Sequence, residues 1–103
     1  MQPESNENML NTIFDKNENW RLMNSYLQLY QIPESILIKT IGYYDNNLCL
    51  RTQHELTPRF CFKYLYKMGN NNIDYNDIVN NFKNKYTKEN LNNIYLMTIQ
   101  EED

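Results

Sequence analysis

The most regular apolar repeat in the chain lies between residues 75 and 86, YNDIVNNFKNKY. Its apolar members are Tyr75, Ile78, Val79, Phe82 and Tyr86. Spacings of three and four positions place them on one face of a helix, and this is the pattern that most restricts the fold. The sequence contains two glycines and three prolines, which are too few turn residues for an all-β sandwich. The chain is therefore predicted to be all-α.

Similar repeats predict six helical segments. They run from Glu7 to Phe14, Trp20 to Tyr30, Pro33 to Ile41, Thr57 to Met68, Asp74 to Tyr86, and Thr87 to Ile99. Residues 43–47 are predicted to form a loop, and residues 48–56 are left unassigned. An alternative is a helix that begins near Arg51 and is kinked at Pro58.

The predicted helix ends follow from local chemistry. Thr57, Asp74 and Thr87 are predicted N-caps, because each has a side-chain oxygen that can accept from a backbone N–H of the first turn. Pro33 and Pro58 suit the first helical position, where a missing N–H costs nothing. Asn17 and Asn19 are possible caps of the second helix. Gly42, and Gly69 with Asn70, are predicted stops.

Length and charge narrow the class of protein. The 103 residues are enough for one domain, predicted to cover residues 1–103 with a core at about 7–98. A net charge of −3, with the ten basic residues spread along the chain, disfavours nucleic acid as a partner. The sequence has no run long enough to span a membrane and no signal peptide. We therefore expect a cytoplasmic protein with reduced Cys49 and Cys61.

Residues able to carry out catalysis or bind a metal are few. One histidine, His54, and two cysteines match no zinc pattern. Cys61 falls within an apolar stripe and is expected to pack as a small hydrophobic side chain. Asp74 and Asp77 are better explained as cap and first-turn residues than as calcium ligands. No catalytic, cofactor-binding or metal-binding residue is predicted, and no enzyme activity. A cysteine-dependent enzyme is an alternative that rapid alkylation of a cysteine would support.

The order of these segments resembles the death domain of the death-fold superfamily. Four stretches carry the resemblance: Asn19-Trp20 with Met23 and Leu27, residues 36–41, residues 60–68, and residues 73–82. Residues 90–98 match the closing helix, so the resemblance spans roughly residues 7–98. Adaptor death domains of the Fas-associated (FADD) type and the insect Imd, Pelle and Tube type look most similar. Asn24, and tyrosine in place of tryptophan in the fourth helix, depart from the family pattern.

The resemblance implies a six-helix antiparallel bundle in which Trp20 is a core anchor. It implies an adaptor in apoptosis or innate immune signalling that binds another death-domain protein, which would be a receptor, an adaptor or a kinase. Candidate interface residues are Arg21, Glu34, Lys39, Arg51, Arg59, Lys63, Asp74 and Asp77. The same surface hypothesis includes Lys67 on the basic side and Asp15, Glu18 and Asp45 on the acidic side. Alternatives are a helical DNA-binding or transcriptional module reading through residues 59–67, and a viral decoy of host death-fold signalling.

Overall fold

The computed structural model describes the backbone of residues 3–66 and 73–101, and the side chains of residues 8–66 and 73–101. Within these residues all regular secondary structure is helical and no strand occurs, which confirms the predicted all-α class. The α-helices are α1 (Pro3–Phe14), α2 (Met23–Leu29), α3 (Glu34–Lys39), α4 (Asn46–Thr52), α5 (Pro58–Phe60), α6 (Tyr75–Phe82) and α7 (Lys88–Gln100). A 3₁₀ helix (Asn17–Leu22) leads into α2, and a π-helix (Cys61–Leu65) continues α5.

The chain divides into two compact units, residues 1–55 and residues 56–103. The predicted single domain over residues 1–103 stays a prediction. In the first unit, α1 packs against the 3₁₀ helix and α3, and α2 packs against the 3₁₀ helix and α4. Its buried apolar residues are Leu10, Phe14, Met23, Leu27, Ile32, Ile36, Leu37, Tyr44, Cys49 and Leu50.

In the second unit, α5 packs against α7, and the π-helix packs against both α6 and α7. Its buried apolar residues are Leu56, Phe60, Cys61, Phe62, Leu65, Ile73, Ile78, Val79, Phe82 and Leu91. Three consecutive residues, Phe60 to Phe62, are buried where the helix changes from α to π geometry. The i→i+5 bond from Tyr66 N to Cys61 O measures 2.9 Å and marks this change.

Three predicted N-caps are confirmed. Thr57 Oγ1 accepts from Phe60 N at 3.2 Å, and Thr87 Oγ1 accepts from Asn90 N at 3.0 Å. The Asp74 and Asp77 carboxylates each accept from the other residue's N–H at 2.9 Å, which is a reciprocal capping box. These ends are correctly predicted because each cap depends on residues only three positions apart.

Other predicted boundaries are wrong. The predicted loop and unassigned segment contain α4, whose N-cap is Asp45; its carboxylate accepts from Asn47 N at 2.8 Å. A helix running from Arg51 through Pro58 is also wrong, since residues 53–57 are not helical. The second predicted helix is a 3₁₀ helix up to Leu22. Neither predicted asparagine cap forms, because the N-cap of this 3₁₀ helix is Lys16.

The start and end of α3 also differ slightly from the prediction. Pro33 is the N-cap of α3 and precedes its first residue. Gly42 has a φ of 93°, a conformation that favours glycine, and follows the Thr40 C-cap by two residues. The predicted stop at Gly69 and Asn70, together with Met68 and Lys67, lies outside the described residues. No helix in the described part of the chain is long and apolar enough to cross a membrane.

Candidate interaction site around Trp20

The C-terminal end of α1 is closed by side chains from the 3₁₀ helix that follows it. Asn19 Nδ2 donates to Ile13 O at 2.7 Å, and Trp20 Nε1 donates to Phe14 O at 2.9 Å. Carbonyls in the last turn of a helix have no partner within the helix, so these two bonds satisfy acceptors that would otherwise need water. The bonds fix the indole at the edge of the first unit.

The Trp20 ring contacts Tyr43, which follows Gly42. The positive φ of Gly42 turns the chain after α3, and the two ring centroids then lie 5.0 Å apart at 77°, an edge-to-face pair. Tyr43 is 50% exposed and Trp20 is half-buried. Trp20 is therefore less enclosed than the predicted core anchor, because its ring packs on an exposed tyrosine.

Two of the predicted interface residues lie close in sequence to this aromatic pair. Arg21 follows Trp20 in the 3₁₀ helix, is exposed, and forms no ion pair with any described residue. Lys39 ends α3, and its Nζ lies 3.5 Å from Asp15 Oδ1 in an exposed ion pair. We call the set of residues Trp20, Arg21, Lys39 and Tyr43 the Trp20 face. Tyr43 lies in the predicted loop and is not among the predicted interface residues; the adjacent Gly42 is the one sequence feature that points to it.

A buried polar centre of the first unit was also missed. Gln53 is 2% exposed; its Oε1 accepts from Ile32 N at 2.6 Å, and its Nε2 donates to Leu27 O and Tyr30 O, both at 3.1 Å. Gln31 connects the same two segments on the surface. Its Nε2 donates to Thr52 O at 2.7 Å, and its Oε1 accepts from His54 N at 2.8 Å. We call Gln31 and Gln53 the glutamine clasp. It joins the end of α2 to the end of α4.

A shallow groove of about 360 Å³ lies beside the glutamine clasp. It is lined by residues 27–31 together with Arg51, Thr52 and His54. Arg51 is exposed and has no ion pair among the described residues, and the adjacent Leu29 is 71% exposed. The structure thus places Arg51, a predicted interface residue, at this groove. The Trp20 face is a separate set of residues in the same unit.

The remaining predicted interface residues already have local partners. Arg59 Nη2 lies 2.5 Å from Glu101 Oε1 in an ion pair. Lys63 Nζ lies 5.6 Å from the Tyr64 ring centroid, a cation–π geometry. Asp74 and Asp77 form the capping box described above. Glu34 is half-buried in the first turn of α3, where its charge contributes to raising the Cys49 pKa.

The cysteines are not arranged as nucleophiles. Neither Cys49 nor Cys61 is in a disulfide, and both are buried. Burial, and then the Glu34 charge, raise the pKa of Cys49 to about 12, although a hydrogen bond with Tyr44 opposes the shift. Such a thiol is protonated at neutral pH and a poor nucleophile. No group of three or more metal-ligating side chains occurs within residues 8–66 and 73–101.

Aromatic side chains of the second unit pack on one another. The Tyr95 ring makes edge-to-face contacts with Phe62, Tyr66 and Tyr75, with centroids 5.1–5.9 Å apart. Its hydrogen bond with Tyr66 raises the pKa of the Tyr66 hydroxyl above the usual value. Tyr75 Oη donates to Asn92 Oδ1 at 2.9 Å. These rings are engaged with each other, which favours a structural role over a platform for stacking bases.

A scan against protein-family models and searches of curated proteins and of solved structures returned no match to this chain.

Proposed function

We propose that this chain is a non-catalytic interaction module that binds another helical domain through the Trp20 face. The observation that carries the proposal is the edge-to-face pair of the half-buried Trp20 and the half-exposed Tyr43, with the exposed Arg21 next to Trp20 in the chain. Tryptophan, tyrosine and arginine are the residue types most enriched among the few side chains that dominate binding energy at protein interfaces. The aromatic rings supply apolar area, and the cationic groups favour a partner that presents carboxylates.

The backbone around the Trp20 face is fixed before any partner arrives. The indole is held by Phe14 O, Tyr43 follows a turn set by Gly42, and Tyr44 Oη donates to Leu37 O at 2.9 Å. An interface that is ordered in the free protein loses less conformational entropy on binding. This argues for recognition of a folded surface by a largely preformed one.

At a finer level, we propose that the partner is another death domain and that the chain acts as a cytoplasmic adaptor in apoptosis or innate immune signalling. The support is the resemblance over residues 7–98 and the all-helical fold. Homotypic pairing between death domains depends on complementary charged patches, and Arg21 and Lys39 supply the basic side of such a patch. The acidic residues of the partner would supply the other side.

The test is binding to a panel of purified death domains of the receptor, adaptor and kinase classes, measured by isothermal titration calorimetry. Tyr43→Ala and Arg21→Glu should each weaken binding at least tenfold, as expected for side chains near the centre of an interface. Lys83→Glu is the matched control, since Lys83 is exposed in the second unit at the C-cap of α6 and outside the Trp20 face.

Three results separate the two levels of the proposal. Failure of the wild-type chain to bind any member of the panel would refute the death-domain partner. Binding that is unaffected by Tyr43→Ala and Arg21→Glu would refute the Trp20 face. Loss of binding in Arg51→Glu alone would move the interface to the groove beside the glutamine clasp. Circular dichroism spectra of each variant check that the helices are retained.

A further inference from the structure

The second unit contains an apolar groove between the start of α5 and the end of α7. It is lined by residues 57–59 on one side and by Ile94, Met97, Thr98 and Glu101 on the other, and its volume is about 280 Å³. This is just below the range of about 300–1,000 Å³ typical of sites for small molecules. A groove of this size suits one or two protein side chains better than a metabolite. We call it the α7 groove.

The rim of the α7 groove carries one charge of each sign. Arg59 and Glu101 form an ion pair there, and both side chains are about half exposed, at 54% and 43%. Met97 projects beside them and is 63% exposed. Ile94, Met97 and Glu101 are spaced by three and four residues, so they share one face of α7. A protruding side chain, a groove and two opposite charges therefore lie in one small area.

We propose that the α7 groove binds a second copy of this chain around a two-fold axis. In a two-fold contact the same surface occurs on both sides, so it has to be complementary to itself. The α7 groove meets this requirement. Met97 of each copy covers the groove of the other, and each Arg59 exchanges its own Glu101 for that of the second copy. The number of ion pairs is unchanged, while the exposed Met97 side chains lose contact with water.

Charge complementarity favours a second copy as the occupant. A partner of one predominant charge would meet either Arg59 or Glu101 as a like charge, which opposes association. A copy of the same surface, related by two-fold symmetry, offers an acid to the base and a base to the acid. The contact uses none of the Trp20 face, so it does not depend on the proposed function and can fail or hold separately from it.

The strength expected is modest because the patch is small. Interfaces well below about 1,200 Å² of buried surface belong to weak, transient complexes, so we expect a dissociation constant of about 0.1–1 mM. Sedimentation velocity and ¹⁵N-resolved NMR over a protein concentration series up to that range measure it. The spectral changes should centre on residues of α5 and α7.

Met97→Glu places a charge in the contact and should abolish the concentration dependence. Leu96→Glu is the matched control: Leu96 is 43% exposed, lies about 100° further round the same helix, and does not line the groove. It should leave dimerisation unchanged. Loss of dimerisation in both variants, or in neither of them, overturns the assignment to this face.

Charge exchange tests the two-fold geometry directly. Arg59→Glu alone and Glu101→Arg alone each present like charges at both contacts, so each variant should be monomeric. Mixed together, they place opposite charges at both contacts, so ¹⁵N-labelled Arg59→Glu titrated with unlabelled Glu101→Arg should recover the shifts of α5 and α7. No cross-titration, or wild-type protein that stays monomeric up to about 1 mM, overturns the proposal.

Discussion

Replacing Gln53 by leucine should be one of the most damaging single polar-to-apolar changes in the first unit. The side chain is buried and makes three hydrogen bonds to backbone groups: from Ile32 N, and to Leu27 O and Tyr30 O. Leucine has similar bulk but no polar atom. It would leave a buried N–H and two carbonyls without their present partners.

The magnitude follows from the cost of unmade hydrogen bonds. Leaving the buried Ile32 amide without an acceptor costs about 1–3 kcal/mol, and each carbonyl that loses its donor adds about 0.5–1 kcal/mol. The expected loss in the free energy of unfolding is therefore about 2–5 kcal/mol, a large part of the total of about 5–15 kcal/mol for a small domain. Gln31→Ala should cost only about 0.5 kcal/mol, because its bonds are exposed and water can replace it.

Urea unfolding followed by circular dichroism measures these differences, and Gln28→Leu, an exposed change on α2, is the control. Gln53→Glu adds a chemical check. Its carboxylate can still accept from Ile32 N but faces the Leu27 and Tyr30 carbonyls, and only the protonated acid can donate to them. The difference in unfolding free energy between wild type and Gln53→Glu should therefore shrink as pH falls. Equal stability of Gln53→Leu and Gln28→Leu, within about 0.5 kcal/mol, would refute the reasoning.

Three further predictions concern Cys49, Asp74 and Trp20. Because Cys49 keeps its proton in the folded state up to about pH 12 but loses it in the unfolded state above about pH 9, its contribution to stability should fall by about 1.4 kcal/mol per pH unit above pH 9. The difference in unfolding free energy between wild type and Cys49→Ala measures this, and a pH-independent difference would contradict it. Asp74→Ala removes the cap of α6 and should lower stability by about 1 kcal/mol in urea unfolding; an unchanged midpoint would count against the capping box. Trp20→Phe loses the hydrogen bond to Phe14 O and should lower the free energy of unfolding by about 1 kcal/mol. Trp20→Ala should lower it by about 2–3 kcal/mol, below the range of about 3–5 kcal/mol for a fully buried ring. A loss in that higher range would contradict a half-buried indole.

The helix ends that sequence predicts correctly are those set by short-range chemistry. Thr57, Asp74 and Thr87 each cap a helix through a group three residues away, so the sequence contains both partners. The sequence does not predict α4, because its N-cap, Asp45, follows two tyrosines and its apolar stripe covers only about two turns. A pattern of that length is ambiguous.

The candidate site was only partly accessible from sequence. Trp20, Arg21 and Lys39 could be selected by residue type and periodicity. The degree of Trp20 burial could not, because it depends on Tyr43 and on the turn at Gly42, more than twenty residues further along the chain. The buried hydrogen-bonding role of Gln53 could not be predicted from the sequence for the same reason, since its partners Leu27 and Ile32 lie 26 and 21 residues away.

The π-helix at Cys61–Leu65 has a consequence for how the fourth predicted helix is aligned with any other sequence. An i→i+5 turn accommodates one residue more than an α-helical turn, so the periodic phase of the chain shifts by one position at Tyr66. Within this segment Phe60 contacts Tyr64, whereas Phe62 contacts Tyr75 and Tyr95. A comparison that assumes an unbroken 3.6-residue period through this segment would misplace Tyr66 by one position relative to Phe60, and a gap of one residue placed between 61 and 65 would restore the match.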